Sequence, residues 1–226
     1  MTSAKISEIF KSTQGEGPYT GTQQVFVRFY GCNLRCSFCD TKRESFKEYD
    51  TNELGSEISL YRDFHSISLT GGEPLCQADF ISEFLRKIKD TGHKIYLETN
   101  GTQPQELLKV IDHIAIVAMD FKLPSSTGCE SHWDQHEKFL SIASGSRADV
   151  FVKMVIAKLT DEKDIFTAAE IIKKINSKIQ VVLQPNWFDM DQDLLSRIIG
   201  FKKQFLERGI CSLKILPQAH KYAGIK

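Results

Sequence analysis

Seven short apolar runs punctuate this chain: VFVRFY (25–30), SISLT (66–70), KIYLE (94–98), IAIVAMD (114–120), FVKMVI (151–156), IQVVLQ (179–184) and SLKIL (212–216). All are too short for an ordinary helix and bounded by polar or turn residues, so they read as buried strands. Longer amphipathic stretches lie between them. Phe80, Ile81, Phe84, Leu85 and Ile88 recur at helical spacing, and Gly92 ends the run. Leu194, Leu195, Ile198, Ile199, Phe205 and Leu206 repeat the pattern, with Gly209 as the stop. Residues 161–176 form a third, with Thr160 as the expected N-cap. Strands alternating with helices predict βαβ units and a mostly parallel sheet. An open sheet and a closed or partial barrel both satisfy the pattern. In either, ligands meet the C-terminal ends of the strands.

That rule collects the unusual segments. GCNLRCSFCD follows the strand ending near Tyr30, TGGEPL follows Leu69, ETNGT follows Leu97, DFKLP follows Met119 and QPN follows Leu183. All five fall on one rim, whereas purely structural turns would be scattered over both. With 226 residues, 41% of them hydrophobic, the chain has material for one core, and a single domain over 1–226 is expected. Lys and Arg total 29 against 29 Asp and Glu. The diffuse basic field of a nucleic-acid or anionic-membrane binder is therefore missing, and a small-molecule substrate is expected. No apolar run approaches the ~20 residues of a membrane span. MTSAKISEIFKS lacks a signal-peptide core, so a cytoplasmic address is expected.

Three of six cysteines crowd into one short loop, as C-x3-C-x2-C at Cys32, Cys36 and Cys39. A chain this rich in apolar residues and without an export signal has no need of a disulfide framework. Thiolates ligate iron, and a cubane normally takes four. Three close thiolates would leave one iron open to a ligand. Cys76, Cys129 and Cys211 are isolated in sequence and suit small apolar sites. The residues alone leave a zinc site open, with His132 and His136 as a second pair, although H-x3-H is also an ordinary helix-surface feature. Gly71-Gly72-Glu73-Pro74 at a strand end permits close backbone approach to a ligand, or simply a tight strand-to-helix turn. Arg28 alternates with Val27 and Phe29 in an apolar strand, so its charge needs a partner. A substrate carboxylate taken bidentately and a buried Asp or Glu both qualify. Lys153 in FVKMVI poses the same question.

The cysteine loop followed by GGEP after the next predicted strand resembles the signature of the radical S-adenosylmethionine superfamily. The resemblance implies a partial (β/α) barrel with mostly parallel strands. It implies a 4Fe–4S cluster on Cys32, Cys36 and Cys39, with S-adenosylmethionine on the remaining iron. Phe38, Asp40, Gly72, Glu98, Asp120, Phe121, Lys122, Gln184, Pro185 and Asn186 would then surround that cofactor. EIFKSTQGEGPYTGTQQVFVRFYGCNLRC and the tail LPQAHKYAGIK are similar to one branch of the superfamily. That branch contracts 6-carboxy-5,6,7,8-tetrahydropterin to a carboxylated 7-deazaguanine with loss of ammonia, in queuosine-type biosynthesis. The likeness runs from about Ile6 to Lys226 and is weak over 42–64 and 125–148. It implies Mg2+ at Thr41, and substrate contacts from Gln14, Gly15, Glu16, Arg28, Thr70, His220 and Lys226. It also implies a homodimer reduced by a flavodoxin or ferredoxin. Two other readings stand beside it: an activase of glycyl-radical enzymes, which shares the cysteine spacing and GGEP, and a zinc-stabilised binding module.

Overall fold

The computed structural model describes residues 2–39 and 45–225. The chain opens with β1 (Ser3–Thr13), β2 (Gln23–Phe29), β3 (Lys47–Asp50) and α1 (Thr51–Ile58). It continues through β4 (Ser66–Gly71), α2 (Ala78–Ile88), β5 (Lys94–Thr99), α3 (Pro104–Leu108), β6 (Ile116–Asp120), α4 (Pro124–Thr127) and α5 (Trp133–Ser144). It ends with β7 (Asp149–Ile156), α6 (Glu162–Asn176), β8 (Gln180–Pro185), α7 (Gln192–Glu207), β9 (Leu213–Ile215) and α8 (Ala219–Ala223). The strands form one nine-stranded open sheet in the order β3-β1-β2-β4-β5-β6-β7-β8-β9. From β2 through β9 in that order every pairing is parallel, while β1 pairs antiparallel with both β2 and β3.

The seven parallel strands are the seven apolar runs. The two antiparallel strands at one end of the sheet, β3 at the edge and β1 next to it, are additional to the seven expected. β1 carries Lys, Ser and Glu among its apolar residues because much of it is only half-buried. It is held by its register with β2, where Phe10 faces Phe26 and the rings stack with centroids 5.1 Å apart. The charged stretch after the cysteine loop contains, in its described part, β3 and α1. An Asp50–Glu53 capping box starts α1, with Asn52 and Glu53 N–H groups donating to Asp50 Oδ1 at 2.7 and 2.9 Å.

Strand alternation divides the sheet into two faces. Val25, Val27, Ile67, Leu69, Ile95, Leu97, Val117, Met119, Val152, Met154, Val181 and Leu183 join the main core cluster. Phe80, Ile81 and Phe84 of α2, Phe139 and Leu140 of α5, Ile172 of α6 and Phe205 of α7 pack in the same cluster. Each fully buried side chain of this size contributes about 1.5–3 kcal/mol. The alternate residues, among them Arg28, Thr70, Glu98, Asp120, Lys153 and Gln184, face the other way and line an open cavity. The helices thus cover one face and leave the other for ligands.

Two helix details differ from expectation. α6 is capped by Asp161, whose carboxylate accepts from Lys163 N at 2.8 Å. Thr160 is buried instead, its Oγ1 accepting from Ala157 N at 2.8 Å and lying 2.7 Å from Ser126 Oγ. α5 was not anticipated, and His136 on it is buried rather than on a helix surface.

Candidate active site

β2 ends at Phe29 and delivers the chain to Gly31 and then to the cysteine loop. The loop is pinned on two sides. Toward β4, Gly72 N donates to Phe29 O at 3.1 Å and Glu73 N to Gly31 O at 2.9 Å. The approach is so close that a Cβ on Gly72 would lie 1.8 Å from Gly31 O, so only glycine fits. Toward α4, Ser37 N donates to Thr127 O at 2.8 Å. Glu73 braces the neighbouring turn from a fully buried position. Its carboxylate accepts from Leu75 N at 3.1 Å, Thr99 Oγ1 at 2.8 Å and Asn100 N at 2.7 Å. Burial raises its pKa to about 7, against the pull of those three donors.

Cys32, Cys36 and Cys39 all line one cavity of about 460 Å3. Burial pushes the Cys36 thiol up to about 12, although Lys122 draws it down. A metal bound there would displace the thiol proton to water or a base and hold the thiolate. Three thiols on one cavity-lining loop are the donor set that three irons of a cubane take, although among the described residues no three His, Cys, Asp or Glu side chains are grouped closely enough to hold a single metal ion. The zinc alternative loses its second ligand pair, because His136 lies with Nε2 3.0 Å from Asn100 O and its ring against Phe121.

The cavity floor is charged. Lys153 reaches in from the middle of β7, pairs with Glu16, and lies 3.4 Å from Asp120 Oδ2. Lys122 Nζ meets the same Asp120 oxygen at 2.8 Å. Burial works against the Lys153 cation, but Glu16 and Asp120 outweigh it and raise its pKa. Burial likewise works against the Glu16 anion. Lys153, the Gln218 amide and His220 outweigh it and hold Glu16 at about 2. The floor therefore presents fixed charges, not groups poised to exchange protons.

The QGEG turn between β1 and β2 is locked onto this floor. Gln14 Nε2 donates to Glu98 Oε1 at 2.8 Å and to Gln24 Oε1 at 3.0 Å, and Gln14 Oε1 accepts from Glu16 N at 3.0 Å. Thr70 Oγ1 donates to Glu98 Oε2 at 2.6 Å. The tail closes from above: Ala219 N donates to Gly15 O at 2.8 Å and Gln218 Nε2 to Glu16 Oε1 at 2.6 Å. His220 packs so near Gly15 that a Cβ there would meet its Nδ1 at 2.3 Å. Of the six buried side-chain polar atoms without a hydrogen-bond partner among the described residues, three belong to Arg28 (Nε), Asp120 (Oδ1) and Gln184 (Oε1). All three side chains line the cavity. Buried polar atoms are rarely left unpaired, so these suit a polar ligand.

Most residues singled out in the sequence converge here. Gln14, Gly15, Glu16, Arg28, Phe38, Thr70, Gly72, Glu98, Asp120, Lys122, Gln184, Asn186 and His220 line the cavity with the cysteines. Two do not. Phe121 is fully buried in the core and Pro185 is buried outside the lining. Each sits between two lining residues on an extended chain, so alternation turns it to the other face. Asp40, Thr41 and Lys226 lie outside the described residues. Arg28 has a protein partner, Glu8 Oε2 at 3.6 Å, and its guanidinium lies 5.5 Å from the Phe10 ring centroid. Lys153 is the main functional residue to which the sequence assigned no role. Its signal was a charge inside an apolar strand, but its partners come from distant segments. Gln218 and Phe188 also line the cavity, and neither had a distinguishing pattern.

Residues 26–127, which carry the thiol loop and the GGEP turn, match the Radical SAM superfamily. The chain is 36% identical over 247 residues to the 7-carboxy-7-deazaguanine synthase of Geobacter sulfurreducens, covering 98% of this chain and 97% of that one. It is 32% identical over 240 residues to the 7-carboxy-7-deazaguanine synthase of Archaeoglobus fulgidus, covering 99% of each. The chain belongs to the 7-carboxy-7-deazaguanine synthase family. Its fold is similar to that in the crystal structure of QueE from Escherichia coli, with a TM-score of 0.69 at 20% identity over 96% of this chain and 95% of that one.

Proposed function

We propose that this chain, working as one domain, contracts the ring of 6-carboxy-5,6,7,8-tetrahydropterin to 7-carboxy-7-deazaguanine with release of ammonia, for 7-deazapurine biosynthesis of the queuosine type. The observation that carries the reading is that the three-thiol loop and the Glu16–Lys153–Asp120 floor open into one cavity. Cys32, Cys36 and Cys39 would hold a 4Fe–4S cluster, which would supply one-electron reductive cleavage of S-adenosylmethionine and so the radical chemistry at the pterin.

The chain's own residues bind and orient. Gly72, Glu98, Asp120, Lys122, Gln184 and Asn186 hold S-adenosylmethionine beside the cysteines, with Phe38 against its adenine. Glu16 stays ionised and accepts from the paired N–H groups of the pterin's aminopyrimidinone edge. Gln14 and Gly15 frame that edge, and Thr70 lies beside Glu98. Leaving such donors unpaired in a dry site costs about 1–3 kcal/mol each, which selects for the ring. Arg28 takes the substrate carboxylate; its Nε makes no hydrogen bond among the described residues and only a loose 3.6 Å ion pair with Glu8. Lys153 stays protonated and keeps Glu16 and Asp120 from repelling each other. His220 closes the pocket from the tail. Thr41, which lies outside the described residues, would supply the protein's oxygen to a bound Mg2+. The working unit is a cytoplasmic homodimer reduced by a flavodoxin or ferredoxin. In support of these last points, no helix among the described residues is long and apolar enough to cross a membrane. In addition, Leu195, Ile199 and Leu206 are exposed on α7.

The test is an anaerobic assay of reconstituted protein with S-adenosylmethionine, reductant, Mg2+ and the carboxypterin. The expected result is 7-carboxy-7-deazaguanine from the wild type and none from Cys36→Ala. Formation of 5′-deoxyadenosine without a deazaguanine would reject the substrate. Absence of iron would reject the chemistry.

A further inference from the structure

His136 is a buried histidine on α5 that the reaction does not use. Its Nε2 lies 3.0 Å from the carbonyl oxygen of Asn100. A carbonyl only accepts, so Nε2 carries the proton and Nδ1 is bare. Nδ1 is buried and has no hydrogen-bond partner among the described residues. The ring is therefore committed to one bond, the bond to the ETNGT turn. Burial lowers its pKa to about 4, which keeps it neutral and the tautomer fixed.

Asn100 is held on every side. Its N–H donates to Glu73 Oε2 at 2.7 Å. Its Oδ1 accepts from Thr102 N at 3.0 Å and from Thr102 Oγ1 at 2.7 Å. With Oδ1 occupied twice, the carboxamide plane is set and Nδ2 points at the cysteine loop. There it donates to Asn33 Oδ1 at 2.8 Å and reaches Cys32 Sγ at 3.9 Å. Asn33 Nδ2 closes the ring onto Thr102 Oγ1 at 2.8 Å, and Leu34 N donates to the same Cys32 sulfur at 3.4 Å. Hydrogen bonds to the sulfurs are one of the levers a protein has on an iron–sulfur potential. They offset negative charge, which is greater in the reduced state, and so favour reduction.

We propose that Asn100 and His136 are positioning residues that raise the cluster's reduction potential: His136 fixes the Asn100 carbonyl, and the Asn100 carboxamide donates to the Cys32 sulfur. The proposal rests on the cluster assigned above, and the test separates the two. Full-length wild type, Asn100→Ala, His136→Leu and His136→Gln are reconstituted anaerobically, their iron is counted, and the cluster is titrated by electron paramagnetic resonance at set potentials. Asn100→Ala is expected to retain about four irons. At a fixed poise its reduced-to-oxidised ratio should fall about tenfold, a shift of about 59 mV for a one-electron couple. His136→Leu should shift in the same direction by less. His136→Gln, whose amide donates to the same carbonyl, should stay at the wild-type value. Wild-type potentials in Asn100→Ala and His136→Leu at full iron loading overturn the proposal. If Asn100→Ala does not hold iron, the His136 pair decides, and equal potentials for leucine and glutamine overturn it. A wild type that takes up no iron overturns the functional reading itself.

Discussion

Glu16 shows how single residues carry this site. Its carboxylate sits between Lys153 and Gln218 with a pKa held at about 2, well below its ordinary 4.5. A depressed acid stabilises the fold where it is ionised in both states, above the ordinary value. That contribution is lost as pH falls from 4.5 through 2. Glu16→Gln should therefore lose about 1–3 kcal/mol at pH 7, with the gap to wild type closing between pH 4.5 and pH 2. Urea midpoints across that range check it, and a gap independent of pH would contradict it. The same variant should raise the KM for the pterin at least tenfold with iron content unchanged. Residues of this kind were only partly legible in the sequence. QGEG, GGEP and the cysteines were visible because each is compact in the chain. Lys153 was visible as an anomaly without a role, because Glu16, Asp120 and Lys153 are far apart in sequence and meet only through the sheet register. Phe121 and Pro185 lie off the cavity lining, each between two lining residues, because alternation along those extended segments turns their side chains to the other face.

At the scale of elements, the apolar runs gave the seven parallel strands because a strand buried on both faces leaves an unbroken hydrophobic signature. β1, β3 and α1 lie at the edge, are partly exposed, and carry no such signature. The D-x-x-E capping box at Asp50 and Glu53 was the one local signal available for α1. α8 is also short and without buried residues, yet it covers the cavity. It is held by the Gly15 and Gln218 bonds and by Tyr222, whose ring meets Trp187 edge-to-face at 4.8 Å. Such a pair is worth about 0.5–1.5 kcal/mol. Trp187→Ala should loosen the tail and raise the pterin KM about 3–10-fold, leaving the iron content and the S-adenosylmethionine affinity as they were. Steady-state kinetics with each substrate varied in turn check this. An effect confined to S-adenosylmethionine would contradict the assignment of the tail to the pterin side.

The whole molecule is an open sheet, packed by helices on one face and carrying a smaller apolar cluster and the cavity on the other. The N-terminal hairpin, the cysteine loop and the C-terminal tail, remote in sequence, wall the same cavity. A bulky extension after Lys226 should accordingly lower turnover while an intact cluster still forms, and full activity of a C-terminally tagged chain would count against the role given to the tail. The most direct measurement of the central claim is a single anaerobic turnover with pterin deuterated at C6, followed by mass spectrometry of both the purine product and the adenosyl compounds. A ring-contracted 7-carboxy-7-deazaguanine is expected, with the C6 deuterium recovered on the adenosyl group. A carboxypterin recovered unchanged with its deuterium in place, beside unlabelled 5′-deoxyadenosine, would contradict it.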